Sequence, residues 1–387
     1  MTTRVAVMGS GNWGTAFAMI LADAGCDVSM WARRGEVADA INAGRNEAYL
    51  PELELPSAVR ATVDPGQALH LADVVVFAVP SQTLRDNLTR WGASIPTDAP
   101  VVSLMKGVEL GTTMRMSQVI AEAADIGTDR IVVVSGPNLA PEIARRQPAA
   151  GVVACRDMAT AERVASACAT PWFRPYTDTD VIGAEVCGAT KNVVALASGM
   201  AEGMGFGDNT KATIITRGLA ETTRLGLALG AHPQTFMGLA GVGDLIATCM
   251  SPLSRNHSFG VRLGRGMTVA EATAELRTTT EGVKSCESIL TLAEQHDVDM
   301  PICEQVVAVI RDGHWACVVG PRLMSRDLKA EKHCGRMPPA RLASGVVERL
   351  GEVGPQVVDV LDADRQPDEV DRHLLGLRGV TPAALEL

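Results

Sequence analysis

Strand and helix patterns that alternate up to about Asp180, a glycine turn directly after the first strand, and the near-disappearance of strand patterns thereafter predict an α/β chain. The expected architecture is a Rossmann-type N-terminal domain with a mainly parallel sheet, followed by an all-α C-terminal domain. At 387 residues there is chain enough for two separate cores. The divisions expected are 1–180, 181–330 and an extension over 331–387.

Val5 to Met8 reads as a short buried strand and passes at once into Gly9-Ser10-Gly11-Asn12-Trp13-Gly14, with an apolar helical run from Thr15 to Ala24 behind it. That is G-x-G-x-x-G between strand and helix, where its glycines have work to do. Gly9 makes the tight turn, Gly11 lets backbone approach a pyrophosphate, and Gly14 lets the helix pack on the strand, its N-terminus facing the phosphates. Trp13 reads as a lid over a bound dinucleotide, or otherwise as a core aromatic. The second strand, Asp27 to Trp31, ends in Ala32-Arg33-Arg34. An acid at this place binds a ribose 2'-hydroxyl, whereas arginine accepts a 2'-phosphate, so NADPH is favoured and NADH remains possible.

Apolar strands continue at Ala72 to Val79, ending in Pro80-Ser81-Gln82, and at Pro100 to Leu104, ending in Met105-Lys106-Gly107. Open parallel sheets bind ligands beyond the carboxyl ends of their strands, which favours a role for Lys106 at the reacting centre over an ordinary surface charge. Arg130 to Val134 repeats the pattern, and the small residues of Ser135-Gly136-Pro137-Asn138-Leu139-Ala140 let backbone amides approach a ligand. Ala149 to Ala154, a helix over Met158 to Ala169, and an extended piece around Trp172 to Tyr176 complete the sheet domain.

The helical half opens with Val181 to Met200. Its apolar line is accompanied by a second line of small residues, Ala184, Gly188, Ala195 and Gly199, with Lys191-Asn192 in the middle. Glycine costs about 1 kcal/mol relative to alanine inside a helix, so its repetition signals close approach of a backbone or a ligand. An ammonium on such a face is desolvated and its pKa falls, which makes a proton donor; the bland reading is a solvated lysine. After a glycine hinge at Gly203 to Gly207, Asp208 or Asn209 is expected to cap the next helix. The run Gly238 to Thr248 then leads to Ser251-Pro252-Leu253-Ser254-Arg255-Asn256. Hydroxyl, guanidinium and amide at a helix start form a phosphate site in physical terms, or else an ordinary cap.

A net charge of -10 and only 3% aromatic residues argue against nucleic acid and anionic lipid as partners. The seven histidines form no metal-binding cluster, so no metal is expected. Nine scattered cysteines without a C-x-x-C pair read as reduced, mostly buried thiols of a cytoplasmic protein. No leader pattern is seen, and no stretch is expected to reach the roughly 18 apolar residues of a membrane span.

The motifs GSGNWGTAFA, FAVPSQ, Lys106-Gly107, SGPNLAPEIA, CGATKNVVALASGMAEGMGFGDN, TRGLAE, GLAGVGDL, SPLSRN and EGVKSCES, spread from Arg4 to Lys329, make the chain resemble the bacterial NAD(P)-dependent glycerol-3-phosphate dehydrogenases. The resemblance implies reduction of dihydroxyacetone phosphate to sn-glycerol 3-phosphate, the backbone of glycerophospholipids, by a homodimer. It implies that Lys191 transfers the proton, and that Lys106, Gly136, Asn138, Asp244, Ser254, Arg255 and Asn256 hold the triose phosphate, with Asn192 and Thr248 as further contacts. It also places Asn12, Trp13, Arg33, Arg34, Tyr49, Lys106, Ala140, Arg255, Thr279 and Glu281 near the dinucleotide, beside Gly9, Gly11 and Gly14. Cys187 to Thr190, Pro141 and Thr279-Thr280 depart from the usual family residues. Residues 331–387 lie outside the resemblance and read as a flexible or loosely helical extension without an assigned role.

The chemistry implied is coherent. Hydride reduction of a ketone builds negative charge on its oxygen, which Lys191 stabilises and finally protonates. A free lysine starts near pKa of about 10.4, and a second cation such as Lys106 lowers it, while Asp244 orients the ammonium or a substrate hydroxyl. Two alternatives stay open on sequence alone: a two-domain 3-hydroxyacid dehydrogenase, whose substrates present carboxylates, and a non-catalytic NADPH-binding sensor.

Overall fold

The computed structural model describes residues 2–276, 280–314 and 316. The expected Thr279 contact, Cys317, Cys334 and the extension 331–387 lie outside the described residues. In chain order the elements are β1 (Arg4–Met8), α1 (Asn12–Asp23), β2 (Asp27–Trp31), α2 (Gly35–Asn42), β3 (Arg45–Asn46), β4 (Leu50–Glu54), β5 (Val59–Thr62), α3 (Pro65–Leu69), β6 (Val74–Phe77), α4 (Leu84–Trp91), β7 (Val101–Ser103), α5 (Met116–Ala124), β8 (Ile131–Ser135), α6 (Ala140–Ala144), β9 (Ala149–Cys155), α7 (Met158–Cys168) and β10 (Phe173–Asp178). The helical half follows with α8 (Val181–Gly203), α9 (Asp208–Ala228), α10 (Pro233–Met237), α11 (Asp244–Met250), α12 (Arg255–Gly264), α13 (Val269–Leu276), α14 (Glu281–Gln295) and α15 (Pro301–Ile310).

The main sheet has the strand order β10-β9-β8-β7-β6-β1-β2-β5. The chain runs outward from β1 through β2 to β5, then returns to the other side through β6, β7 and β8. The crevice between β1 and β6 is therefore the switch point at which open sheets bind ligands. All pairings are parallel except β8 with β9. Buried valine runs such as Val74-Val75-Val76 are what a sheet covered on both faces requires. One face is covered around Phe17, Ile20 and Ile41, the other around Leu84, Trp91 and Ile120.

The third core surrounds α8. Nearly every residue from Val181 to Ala201 is buried, and α12, α9, α11 and α14 pack around it. The small-residue line has two separate causes. Gly199 and Gly203 face the backbone of α12 so closely that a Cβ on either would collide with the carbonyls of His257 or Val261. Reciprocally, a Cβ on Gly260 or Gly264 would strike the carbonyls of Leu196 or Met200. Gly188 instead meets Ser135 and the stem of Lys106, at 3.3 and 3.4 Å from where its Cβ would be. Helix against helix at one end and helix against the site lysine at the other explain why glycine's cost is tolerated.

Three expectations need correcting. The first helix starts at Asn12, so Trp13 and Gly14 belong to its opening turn. The N-cap of α9 is Gly207, with Asp208 as the first helical residue and no side-chain cap; Asp208 pairs with Lys211 at 3.1 Å instead. By length and mean hydropathy α8 does pass for a membrane span, but 94% of that stretch is buried inside the protein, as in the core helix of a two-domain fold. The seven described cysteines are free and buried.

Replacing Gly260 with valine is expected to force α8 and α12 apart and to cost about 1–3 kcal/mol, as overpacking does. Urea unfolding of the Gly260→Val variant measures this, and an unchanged midpoint would deny the backbone contact.

Candidate active site

The glycine turn follows β1 and abuts the residue after β6. Gly9 has φ of +135°, open to glycine alone, and a Cβ there would sit 2.5 Å from the carbonyl oxygen of Ala78. A Cβ on Gly14 would run into the carbonyl of Gly9, whereas one on Gly11 would meet nothing within 4 Å. Tight turn, close packing and open approach thus fall on the first, third and second glycines, the cradle a pyrophosphate needs. Asn12 donates from Nδ2 to the carbonyl of Tyr49 at 2.8 Å, which joins two expected dinucleotide contacts. Trp13 packs edge-on against Phe17 at 5.6 Å, and its buried Nε1 has no partner among the described residues. The side chain thus packs against the sheet core and carries an unused donor. Arg33 and Arg34 are exposed just past β2; Arg34 leans on Glu36 at 3.4 Å, and Arg33 has no ion pair among the described residues.

The candidate reacting centre is a carboxylate between two lysine side chains. Lys106, in the loop after β7, donates to Asp244 Oδ2 at 2.6 Å and to the carbonyl of Gly136 at 3.2 Å. Lys191, in the middle of α8, donates to Asp244 Oδ1 and, at 2.8 Å, to the hydroxyl of Thr248. Asp244 and Thr248 stand one turn apart on α11, with the Thr248 hydroxyl 3.2 Å from Asp244 Oδ1. Asp244 is fully buried and Lys191 is 8% exposed. Burial is the main force on Lys191: it pushes the pKa down to about 7, with Lys106 acting in the same direction and Asp244 opposing. For Asp244 burial disfavours the charge, yet the two lysines outweigh it and hold the carboxyl below its usual range. An amine near neutrality that faces a fixed carboxylate can give or take a proton at cellular pH.

The loop after β8 closes one side. Gly136 has φ of +127° and its would-be Cβ lies 3.1 Å from Gly151, while Asn138 has both side-chain polar atoms buried and without partners among the described residues. Ala140 begins α6 nearby in sequence and is buried. Such orphaned groups, two residues from the carbonyl that Lys106 meets, leave a donor and an acceptor for a ligand.

The second polar cluster is only partly as expected. Ser254 is the N-cap of α12 and accepts from the His257 amide at 3.2 Å, while Arg255 is exposed in the first turn. Asn256, expected to grip a ligand, is already engaged: it donates to Asn192 Oδ1 at 3.0 Å and accepts from the Gly282 amide at 2.9 Å. Glu281 accepts from Ser81 at 2.8 Å. Sequence reasoning missed the anchors behind these groups. Glu185 on α8 accepts from the Ser117 amide at 2.7 Å, from the Ser117 hydroxyl at 2.6 Å and from Arg115, tying the lysine helix to α5. Glu221 accepts from the amides of Ile302 and Cys303 at the start of α15. A glutamate in an otherwise apolar helical line was the available signal for both.

Comparison with known proteins bears on the family and the fold. The family models described as NAD-dependent glycerol-3-phosphate dehydrogenase N-terminus and C-terminus match residues 4–161 and 180–316. Among curated relatives, the glycerol-3-phosphate dehydrogenase [NAD(P)+] of Streptomyces avermitilis is 61% identical over 330 residues, 85% of this chain and 98% of the relative. That of Streptomyces coelicolor is 59% identical over the same length and shares. Among solved structures, the glycerol-3-phosphate dehydrogenase of Coxiella burnetii superposes with a TM-score of 0.80 at 32% identity, covering 84% of this chain and 99% of that one.

The pKa of Lys191 carries a linkage consequence. Its folded value, about 7, is below the ordinary 10.5, so the unfolded chain binds more protons between those limits and stability rises with pH there. Thermal unfolding of Lys191→Met, compared with the parent, should show the parent gaining on the variant from pH 7 to pH 10. Parallel curves would mean that Lys191 is not desolvated.

Proposed function

The chain belongs to the NAD-dependent glycerol-3-phosphate dehydrogenase family, and on that premise we propose how its residues divide the reduction of dihydroxyacetone phosphate to sn-glycerol 3-phosphate. It is an NAD(P)-dependent oxidoreductase, and the carboxylate-binding and sensor alternatives are not favoured. The observation that carries the assignment of roles is the Lys106–Asp244–Lys191 bridge at the carboxyl end of the sheet.

Lys191 is the proton donor to the ketone oxygen, and in the reverse direction its neutral amine takes the proton back. Asp244 keeps that amine aimed and offsets the cost of burying it. Lys106, Gly136, Asn138, Asn192 and Thr248 surround the three-carbon unit, while Ser254, Arg255, Asn256 and the start of α12 take the phosphate. Asn256 uses one Nδ2 hydrogen on Asn192 and its Oδ1 on the Gly282 amide, which holds α14 and α8 together, and the second Nδ2 hydrogen is the one left for the phosphate. The turn of Gly9, Gly11 and Gly14 with Asn12, Trp13 and Tyr49, together with Arg33, Arg34, Ala140 and Glu281, would hold the dinucleotide, which supplies the hydride when bound. An unpaired Arg33 after β2 supports a preference for NADPH.

The remaining assignments are coarser. Division at residue 180 is supported by the end of β10 at Asp178 and the start of α8 at Val181. Ile246 and Met250, exposed one turn apart on α11, with exposed Leu253 beyond, support a homodimer. Free buried thiols support a reducing, cytoplasmic setting.

Lys191→Ala should lower kcat by about a hundredfold or more, with dinucleotide binding nearly unchanged. Because reduction needs the ammonium and oxidation the amine, kcat/KM for reduction should fall as pH rises through about 7, and for oxidation should rise. Steady-state assays in both directions test this; near-normal turnover of the variant, or pH profiles of the same sign, would remove Lys191 from the role. Arg255→Ala should raise the KM for dihydroxyacetone phosphate about tenfold or more and that for NADPH far less. Equal KM values in variant and parent would put the phosphate elsewhere.

A further inference from the structure

Four pieces of the site converge on the start of α14, from Glu281 to Ser285. Ser81, just past the carboxyl end of β6, donates its hydroxyl to Glu281 Oε2 at 2.8 Å, a contact between residues 200 apart in sequence. Gly107, the neighbour of Lys106, is packed between two hydroxyls: a Cβ there would lie 2.7 Å from Ser81 Oγ and 2.9 Å from Ser285 Oγ. Gly282 is equally confined, since a Cβ on it would lie 2.7 Å from Asn256 Oδ1 and 2.8 Å from the carbonyl oxygen of Asn192. Ser81 is 2% exposed and Ser285 1%. The sheet end, the Lys106 loop, the lysine helix and the start of α12 therefore all meet at three residues of α14, Glu281, Gly282 and Ser285.

Glu281 brings a carboxylate to this junction. Burial raises its pKa, and the Ser81 hydroxyl, then Arg255 from α12 and Lys284 from α14, act against that. Ser81 is thus the group on the sheet side that both turns this carboxylate and favours its charge. We propose that Ser81 is a positioning residue for the dinucleotide, acting through Glu281 and keyed to the Lys106-Gly107 pair by contact with Gly107. The proposal rests on the placement of Glu281 at the dinucleotide given above. It adds that the cofactor contact from the helical half is set by a hydroxyl from the sheet half.

The test is a double-mutant cycle read by fluorescence titration of NADPH onto the full-length protein, with glycerol 3-phosphate affinity and thermal unfolding measured alongside. Glu281→Ala and Ser81→Ala should each weaken NADPH binding about tenfold, the loss expected for a hydrogen bond to a charged group. The double variant should be no weaker than Glu281→Ala alone, because the two act as a unit. Glycerol 3-phosphate affinity should stay within about twofold in Ser81→Ala. If Glu281→Ala binds NADPH like the parent, the placement of Glu281 fails and the proposal fails with it. If Glu281→Ala is weakened but Ser81→Ala is not, or if the two losses multiply, Glu281 keeps its place and Ser81 loses its role. Loss of both ligands together with a lowered melting temperature in Ser81→Ala would make Ser81 structural only, and would likewise overturn the proposal.

Discussion

The carboxylate of Asp244, shut away from water and bonded to an ammonium from each half of the chain, is the constraint on which the arrangement depends. Neither lysine alone would be tolerated there without it, because an uncompensated buried charge costs several kcal/mol (on the order of 3–5). Asp244 alone would be no better, and would protonate. With Lys191 protonated the three groups carry one net positive charge, placed where a ketone's oxygen becomes negative. Sheet and helices are joined at the point where the chemistry is proposed to occur, so alignment of the two halves and readiness of the site are the same condition.

Around that point the anchoring is redundant. Glu185 binds α8 to the start of α5, and Asp180 caps α8 through the Gly183 amide at 2.8 Å while also accepting from the His232 amide at 2.8 Å. These contacts fix the rotation of α8 about its axis, and rotation decides whether Lys191 meets Asp244 or is lost in the surrounding apolar packing. A helix so thoroughly buried cannot relieve an error by turning toward solvent. The apolar composition that lets α8 pass for a membrane span follows from this central position.

Much of this was legible in the sequence, for reasons that can be named. The glycine turn was readable because its three glycines meet three local demands, and Lys106 because strand ends in a parallel sheet are where ligands go. Lys191 stood out through its small neighbours, although one of the glycines in that line answers to α12 and another to Lys106. What could not be read were partnerships across long stretches of chain. Asn256 advertised itself as a ligand group because it opens a helix beside an arginine, yet its amide is used on Asn192 and Gly282, residues 64 and 26 positions away. Nothing in local spacing marks Arg115 as the partner of Glu185, or Ser81 as that of Glu281. The N-cap of α9 was misplaced by one residue: the helix begins at Asp208, whose side chain then lies on the helix beside Lys211, with Gly207 before it.

The glycine seam between α8 and α12 bears on how the site measures its ligand. On the proposed roles, one of these helices carries the proton-transfer amine and the other starts at the phosphate grip. Main chain touches main chain between them, with no pliable side chains to absorb a change of spacing. The span from anion to carbonyl is then set like the gap of a calliper, and a substrate one carbon longer or shorter would find the jaws unable to adjust.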